Sequence, residues 1–390
     1  MLRLLARVVA ALCLAACSSA PPSAAPTASK SPLLTPSLPA SGAFDNVYGS
    51  YRTDSGEILV VTRMGWFADL GDSTYRTIYG FGSPGRFSIG PGFEQPTPIV
   101  AELQIGSDSL TLSQAGRTVE ARRLNLNRSE VTIHADGADL AGTITEPEGP
   151  GPHPGIVIVH GSEPGQRYYY DFWVGLYTSL GLTVLTYDKR GHGESSGRYP
   201  GEYASAEALT IYADDASAAL SFLGSWRGVD SKRVGFHGGS QGGWTVPLAM
   251  ARHGKAAFAV LVSAPAVTVG QQGIWSDFSS GGARMPSESA EQMNAAIRAD
   301  HSGYDPAPAL TALSAPALWI LGRSDRTVPT DVCVENVKAL QKPNVRIQLV
   351  TSGHGLLLNH TGLNADDDTA PGLALGVITS ISDWIKAVVR

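Results

Sequence analysis

Cysteine is scarce in this sequence, which has three in 390 residues, and none of them stands in a Cys-x-x-Cys pair or a cysteine–histidine cluster. Spacing therefore indicates neither a zinc site nor a disulfide framework. Blocks of lysine and arginine are also absent, and the formal net charge is -6, so the sequence does not indicate a nucleic-acid-binding protein. Hydrophobic residues make up 43% of the chain, which predicts a globular protein of two domains, or of one α/β unit with an extension.

The N-terminus has the layout of a targeting segment. Arg3 and Arg7 precede an apolar run that is too short for a membrane span, and residues 1–16 together are typical of a signal peptide. The run ends in Leu-Ala-Ala-Cys17 and resembles a bacterial lipobox, which implies lipidation of Cys17 and cleavage just before it. We therefore expect an exported protein, anchored by lipid to a membrane of the bacterial cell envelope, with an ordinary signal peptide as the alternative. Residues 17–41 are rich in Ala, Ser and Pro and predict a flexible tether.

Residues 42–127 have the pattern of a small antiparallel β domain. Short apolar or alternating runs are separated by Gly, Pro, Asp and Ser, and no long helical period occurs. The pattern predicts a sandwich or a barrel. No residues within it have catalytic spacing, so a structural or substrate-shaping role is expected.

Residues 128–390 have a different pattern. A hairpin that turns at Asp136 and Gly137 is followed by strands that are apolar throughout and alternate with helical stretches. This predicts an α/β domain with a mostly parallel, doubly wound sheet, whose active site lies at the carboxyl ends of the strands. Residues 264–313 break the alternation, and we expect them to form either a cap over the active site or a surface excursion with its own small core.

The segments that follow predicted strands carry the candidate chemistry. Gly238, Ser240 and Gly242 form a Gly-x-Ser-x-Gly motif, in which a tight turn projects the serine into a cleft as a nucleophile. A serine hydroxyl needs a base to take its proton, and that base needs an acid to hold it. Asp325 and His354 each follow a later predicted strand, so the candidates occur in the order serine, aspartate, histidine.

Residues 131–390 resemble the α/β-hydrolase superfamily, close to its esterase and prolyl-oligopeptidase-like branches. Besides the serine motif and the aspartate and histidine turns, two landmarks match in order and spacing. One is His-Gly-Ser at 160–162, after the third strand, and the other is the Asp-Lys-Arg-Gly-His-Gly-Glu-Ser segment at 188–195, after the fourth.

The resemblance implies an α/β-hydrolase fold and a serine hydrolase in which Ser240 is acylated with His354 as the base. Two backbone N–H groups would hold the developing oxyanion, those of Gln241 and Ser162, with Glu163 as the alternative to Ser162. Neither a metal nor an organic cofactor is implied.

Other titratable residues are rivals for these roles or supports of the fold. His360 is the rival base, and Asp331 is a rival acid that is expected in the first turn of a helix. Residues 366–368, three successive aspartates, are also rival acids and predict a solvated loop. Three further histidines near the motifs are interpreted as structural: His160, His192 and His237.

Several functions share these residues. The sequence favours hydrolysis of small carboxylic esters through an acyl-enzyme. The alternatives are a serine peptidase or amidase of the prolyl-oligopeptidase-like type, a thioesterase or acyltransferase, and, least favoured, a non-catalytic binding lipoprotein of the envelope. Residues 42–127 are too few for a multi-blade propeller at about 40–45 residues per blade, which counts against the peptidase.

Overall fold

The computed structural model describes residues 36–80, 85–201 and 204–389, so the expected signal peptide, Cys17 and most of the expected tether lie outside the described residues. Two β structures follow one another along the chain. The first is a closed antiparallel barrel whose strands pair in sequence order, β1 to β8, at Gly49–Thr53, Ile58–Val61, Trp66–Asp69, Thr74–Gly80, Arg86–Ile89, Ala101–Ile105, Ser109–Gln114 and Arg117–Arg123.

Alternating side chains give the barrel a packed interior. Along β6 and β7 the inward positions, among them Leu103, Leu110 and Leu112, are buried, while their neighbours face outward. The turn between β7 and β8 uses two residues, Ala115 and Gly116, which both have positive φ and therefore match the twist of a tight hairpin. The barrel encloses side chains rather than a channel.

The second structure is a mixed sheet with strands in the order β16-β15-β14-β13-β11-β12-β10-β9. Pairing is antiparallel between β9, β10 and β12 and parallel from β12 onward. The strands β9 to β16 lie at Asn127–Ala135, Ala138–Glu146, His153–Val159, Thr183–Tyr187, Val229–Gly239, Ala259–Val262, Ala317–Gly322 and Val345–Val350.

Helices cover both faces of this sheet, because its central strands are apolar on both sides. A 3₁₀ helix spans Arg167–Tyr170. None of the helices in the described ranges is long and apolar enough to cross a membrane. The helices α1 to α9 lie at Asp171–Ser179, Ala206–Ser225, Gly242–His253, Val269–Ser279, Ala290–Ala299, Ala307–Ala312, Thr330–Ala339, Asn364–Asp367 and Val377–Val388.

The barrel and the sheet share a hydrophobic core. Val60 on β2 and Ala68 on β3 point away from the barrel interior and pack in the same cluster as Phe172 of α1. This explains why β2 is apolar at every position, since both of its faces are covered. Gly175 of α1 permits the close approach, because a Cβ at that position would lie 2.6 Å from a methyl carbon of Val60.

Polar contacts join the barrel to the segment that follows His354. The backbone N–H of Glu94 donates to the Asp368 carbonyl at 2.9 Å, and the backbone N–H of Leu373 donates to the Ser73 carbonyl at 2.9 Å. The predicted fold class is confirmed: an α/β-hydrolase fold preceded by a small antiparallel β domain, which takes the barrel form of the two that were expected.

Candidate active site

Ser240 lies in the sharp turn between β13 and α3. Its φ is +50°, a conformation that non-glycine residues rarely adopt. The turn is tight because its glycines lack side chains: a Cβ at Gly238 would lie 2.8 Å from the Gly242 carbonyl oxygen, and one at Gly242 would lie 3.1 Å from the Val159 carbonyl oxygen. The geometry is that of a nucleophile elbow, and Ser240 keeps partial solvent exposure.

The structure brings the three predicted residues together. His354 Nε2 lies 3.0 Å from Ser240 Oγ, and His354 Nδ1 lies 2.8 Å from Asp325 Oδ2. The three side chains come from turns after β13, β15 and β16, which end at the same edge of the sheet. Both distances are hydrogen-bond distances, so a proton can pass from the hydroxyl to the imidazole while the carboxylate fixes the ring.

Asp325 is held in place by its own turn. Its side chain is fully buried, with an exposed fraction of 0%. Oδ1 accepts the backbone N–H groups of Thr327 at 2.7 Å and Val328 at 2.8 Å, which leaves Oδ2 directed at His354. The Ser263 hydroxyl donates to the His354 carbonyl at 2.7 Å and so fixes the backbone of that turn as well.

The electrostatics of the site favour a charged imidazole. Burial opposes the charged form of His354, but the carboxylate of Asp325, with smaller contributions from Asp367 and Glu163, outweighs it and raises the pKa of His354 above the ordinary histidine value. The positive charge that His354 would acquire on taking the serine proton is therefore stabilised where it forms.

The loop after β11 carries one of the two predicted oxyanion donors. The Gly161 N–H donates to Glu163 Oε1 at 3.1 Å and also contacts the Tyr170 hydroxyl, whereas the Ser162 N–H has no acceptor within the described residues. Burial opposes ionisation of Glu163, but the neighbouring His160 imidazole and the charge of Lys189 lower the pKa of Glu163 to about 2. Its carboxylate is therefore ionised at neutral pH and holds the start of the loop.

The rival base and acid lie apart from this hydrogen-bonded chain. His360 is exposed, and its carbonyl accepts the Ser324 hydroxyl. Asp331 is exposed in the first turn of α7. Neither His360 nor Asp331 contacts Ser240 or His354 through a hydrogen bond among the described residues.

The histidines interpreted as structural lie beneath or beside the site. His160 is buried with Nε2 against the Tyr187 carbonyl, and His192 packs edge-on against the Tyr199 ring. His237 has an exposed fraction of 0% and contacts the Tyr177 hydroxyl at 2.9 Å. Burial lowers the pKa of His237 to about 3, so it stays neutral at physiological pH.

The prediction of a solvated loop at residues 366–368 is wrong. Asp367 ends the short helix α8, is half-buried, and accepts the Asn359 side-chain amide at 2.8 Å. Its carboxylate oxygens lie near Gly353 and Gly355, the residues on either side of His354. Burial raises the pKa of Asp367, and its charge in turn raises that of His354. A run of three aspartates resembled a surface feature because the sequence does not tell which of them turns inward.

The insert at 264–313 packs against the turn that carries the acid. It contains α4, α5 and α6, and the Trp275 indole N–H donates to the Asp325 carbonyl at 3.0 Å. The Gln272 side chain donates to the Thr327 carbonyl at 2.8 Å. The insert therefore supports the acid turn, and its role as a cap stays a prediction.

Two buried side-chain contacts around the site were not predicted from the sequence. Lys189, within the landmark at 188–195, is buried under residues 161–163, which carry the predicted donor Ser162 and are called the oxyanion loop below, and its Nζ donates to the Gly161 carbonyl at 2.7 Å. Asp171, the first residue of α1, binds Arg63 of the barrel through both carboxylate oxygens, at 2.9 and 3.0 Å. A charged residue two positions after a buried strand was the available signal for Lys189, whereas nothing local pairs Arg63 with Asp171. In the described part of the chain, no cluster of three or more His, Cys, Asp or Glu side chains could hold a metal ion.

The fold, the elbow and the Ser240–His354–Asp325 arrangement define an α/β-hydrolase of the serine hydrolase type. A sequence model of the prolyl oligopeptidase family, named as a peptidase S9 domain, matches residues 168–365. That match covers more than half of the chain, which therefore belongs to this family.

Curated relatives match part of this chain at low identity. An uncharacterized protein of Mycobacterium tuberculosis is 28% identical over 232 residues, which cover 59% of this chain and 73% of that protein. An uncharacterized 31.7 kDa protein of Escherichia coli is 28% identical over 123 residues, 32% of this chain, so the chain spans only 41% of that relative's length. Among solved structures, an esterase of Pyrococcus furiosus has a TM-score of 0.49 and 16% identity, covering 68% of this chain and 92% of that one.

Proposed function

We propose that this protein hydrolyses carboxylic esters through an acyl-enzyme on Ser240. The single observation that supports this most is the continuous hydrogen-bonded chain from Ser240 Oγ to His354 and on to Asp325, at 3.0 and 2.8 Å. Such a chain activates a hydroxyl that is otherwise a poor nucleophile.

The proposed reaction has two halves. Ser240 Oγ attacks the ester carbonyl while His354 Nε2 takes its proton, and the negative charge on the carbonyl oxygen is met by the N–H groups of Gln241 and Ser162. His354 then gives that proton to the leaving alcohol, and the acyl group stays on Ser240. Water enters, loses a proton to His354 and attacks the acyl-enzyme; His354 then returns that proton to Ser240 Oγ as the carboxylic acid leaves, which restores the serine hydroxyl and the neutral imidazole.

A second candidate is amide or peptide hydrolysis by the same residues. Membership of the prolyl oligopeptidase family favours it. Against it, the described residues before the hydrolase sheet, 36–80 and 85–126, form one closed barrel that is smaller than a propeller and is filled by side chains instead of enclosing a channel for peptides. Thioester hydrolysis and acyl transfer remain further outcomes of the same chemistry.

The first test is labelling by a fluorophosphonate, measured by intact mass, with wild type beside Ser240→Ala. We expect one adduct on the wild type and none on Ser240→Ala, while Ser225→Ala, a control at an exposed serine, labels like the wild type. Labelling of Ser240→Ala would place the nucleophile elsewhere. A folded wild type that resists labelling would favour a non-catalytic binding protein.

The substrate class is tested by kcat/KM on matched esters, thioesters and aminoacyl amides that share one acyl group. A higher kcat/KM for the oxygen esters than for the thioesters and amides supports the proposal. The acyl length at which the kcat/KM of the esters falls then gives the size of the pocket that binds the acyl group. A preference for the aminoacyl amides would overturn the ester assignment in favour of the peptidase.

We also propose that the protein is exported and anchored to the bacterial envelope by a lipid on Cys17. The sequence supports this through Arg3 and Arg7, the apolar run and the Leu-Ala-Ala-Cys ending. We expect metabolic labelling with a palmitate analogue to be lost in Cys17→Ser and kept in Cys13→Ser. Equal labelling of the two variants would contradict the anchor at Cys17.

A further inference from the structure

Lys189 lies directly beneath the residues assigned to the oxyanion hole. It follows β12, and its exposed fraction is 3%. The Nζ donates to the Gly161 carbonyl at 2.7 Å, to the Gln241 side-chain oxygen at 3.1 Å and to the Glu163 carbonyl at 3.4 Å. These three acceptors match the three N–H bonds of an ammonium group. The centroid of the Tyr212 ring lies 4.5 Å from the same Nζ.

The contact with Gly161 fixes the direction of the Ser162 amide. The Gly161 carbonyl and the Ser162 N–H belong to one peptide unit, and that unit is trans and planar, so the two groups point in opposite directions. When Lys189 holds the carbonyl toward the interior, the N–H is turned to the opposite side. The contact with the Glu163 carbonyl holds the chain on the other side of Ser162 and so limits rotation of the loop.

The same ammonium reaches the second assigned donor. Gln241 supplies its backbone N–H to the oxyanion hole, and its side chain is bound by Lys189. Gln241 lies at the start of α3 and the Gly161 loop follows β11, so Lys189 ties together two segments that are distant in sequence. A positive charge on the carbonyl side of the Gly161 peptide also polarises that peptide, which makes the Ser162 N–H a stronger donor.

The neighbouring residue Arg190 provides a contrast. It is also buried, but its guanidinium donates to the Asp215 carboxylate and the Asp136 carbonyl and not to residues 161–163 or Gln241. Arg190 forms a buried ion pair that holds the fold. Lys189 instead donates its hydrogen bonds to the oxyanion loop and to Gln241 at the start of α3.

We propose that Lys189 is a positioning residue that orients the Ser162 and Gln241 amides for the transition state, an inference that rests on the proposed function. Donors arranged before the reaction stabilise the tetrahedral oxyanion more than the planar substrate carbonyl. Loss of Lys189 should therefore weaken transition-state binding much more than substrate binding.

The test compares kcat, KM and the Ki of a boronic acid that forms a tetrahedral adduct with the serine, in wild type, Lys189→Met and Lys189→Gln. Removal of one oxyanion donor lowers kcat by roughly 100- to 1,000-fold in other serine hydrolases, so a misdirected donor should lower it by about 10- to 100-fold. We expect that loss in Lys189→Met, with KM within a few-fold of wild type and with the boronate Ki raised by a similar factor.

Lys189→Gln should recover part of the loss, because its amide can still donate to the Gly161 carbonyl. If Lys189→Met does not fold, Lys189→Gln is compared with wild type by the same three measurements. Arg190→Lys is the matched control: it should lower Tm while leaving the ratio of boronate Ki to KM unchanged. If the Lys189 variants lower only Tm and keep wild-type kcat and Ki, Lys189 is a structural residue and this inference fails, while wild-type turnover still upholds the proposed function. If wild type has neither turnover nor labelling, the proposed function and this inference both fail.

Discussion

The barrel and the catalytic sheet each have eight strands, but the strands are connected in different ways. In the barrel every strand pairs with its neighbour in sequence, and β8 closes on β1. In the sheet, β12 lies between β10 and β11, and crossovers bring Ser240, Asp325 and His354 to one edge from distant parts of the chain. Pairing between sequence neighbours suits the barrel to a structural role beside the sheet, whereas the crossovers of the sheet bring reactive side chains together. Four variants test this division, from the largest expected effect to the smallest.

The first variant, Asp325→Asn, breaks the chemistry of the sheet. An asparagine leaves the shape of the turn but removes the charge that orients His354, so we expect kcat to fall by about 1,000- to 10,000-fold with little change in Tm. The measurement is ester turnover at saturating substrate. Asp331→Asn, at the exposed alternative acid, is the control and should keep the wild-type kcat. If Asp331→Asn lost activity and Asp325→Asn kept it, Asp331 would be the acid.

The second variant, Leu103→Ala, destabilises the barrel without changing any residue of the candidate active site. Leu103 has an exposed fraction of 0% in the barrel interior. A cavity of this kind should lower the free energy of unfolding by about 3 kcal/mol, measured by urea denaturation. The kcat of the folded protein should stay at the wild-type value, as it should in Gln104→Ala, whose side chain faces solvent on the same strand. A lower kcat in folded Leu103→Ala would contradict the division between support and chemistry.

The third variant, Arg63→Met, acts where the two regions meet. It leaves the Asp171 carboxylate, 9% exposed, without its ion pair, and Arg63 itself is 26% exposed. We expect a loss of about 2 kcal/mol in unfolding free energy, smaller than for a fully buried pair, and a few-fold loss in kcat because α1 follows the oxyanion loop. Arg52→Met removes an exposed ion pair with Glu148 that also joins the two regions, and it should change neither quantity. Equal effects of the two variants would show that burial does not decide the strength of the contact.

The fourth variant, Asp367→Asn, changes only the pH dependence. His354 must be neutral to accept the serine proton, so kcat/KM rises with pH through its raised pKa. Removing the Asp367 charge lowers that pKa, and the acid limb of the profile should therefore move to lower pH by a fraction of a unit. The profile of Asp366→Asn serves as the control. An acid limb that moves to higher pH, or that moves equally in both variants, would contradict the assignment.

The sequence predicted the candidate site better than it predicted the supports of that site. Ser240, Asp325 and His354 each follow a strand that the sequence predicted, and because parallel strands end at a common edge, their meeting could be foreseen from order alone. Closure of the barrel could not, since it pairs Tyr51 with Arg123 across a long stretch of chain and leaves no local pattern.

Charged residues that act across elements were the hardest to predict. Arg63 and Asp171 look like ordinary surface residues until β2 and α1 are packed together. The inward turn of Asp367 likewise depends on Asn359 and on the glycines around His354. Such contacts are decided by tertiary packing, which a single sequence does not encode in any local period.

The contacts between the barrel and residues 368–373 have a consequence for how the chain matures. During synthesis the barrel sequence leaves the ribosome long before these residues do, and its neighbour-to-neighbour pairs can form without the rest of the protein. The segment after His354 is made near the end, and it closes against strands that already exist. The arrangement of Ser240, His354 and Asp325 would then be completed late in synthesis, because His354 and the segment that follows it are among the last residues made.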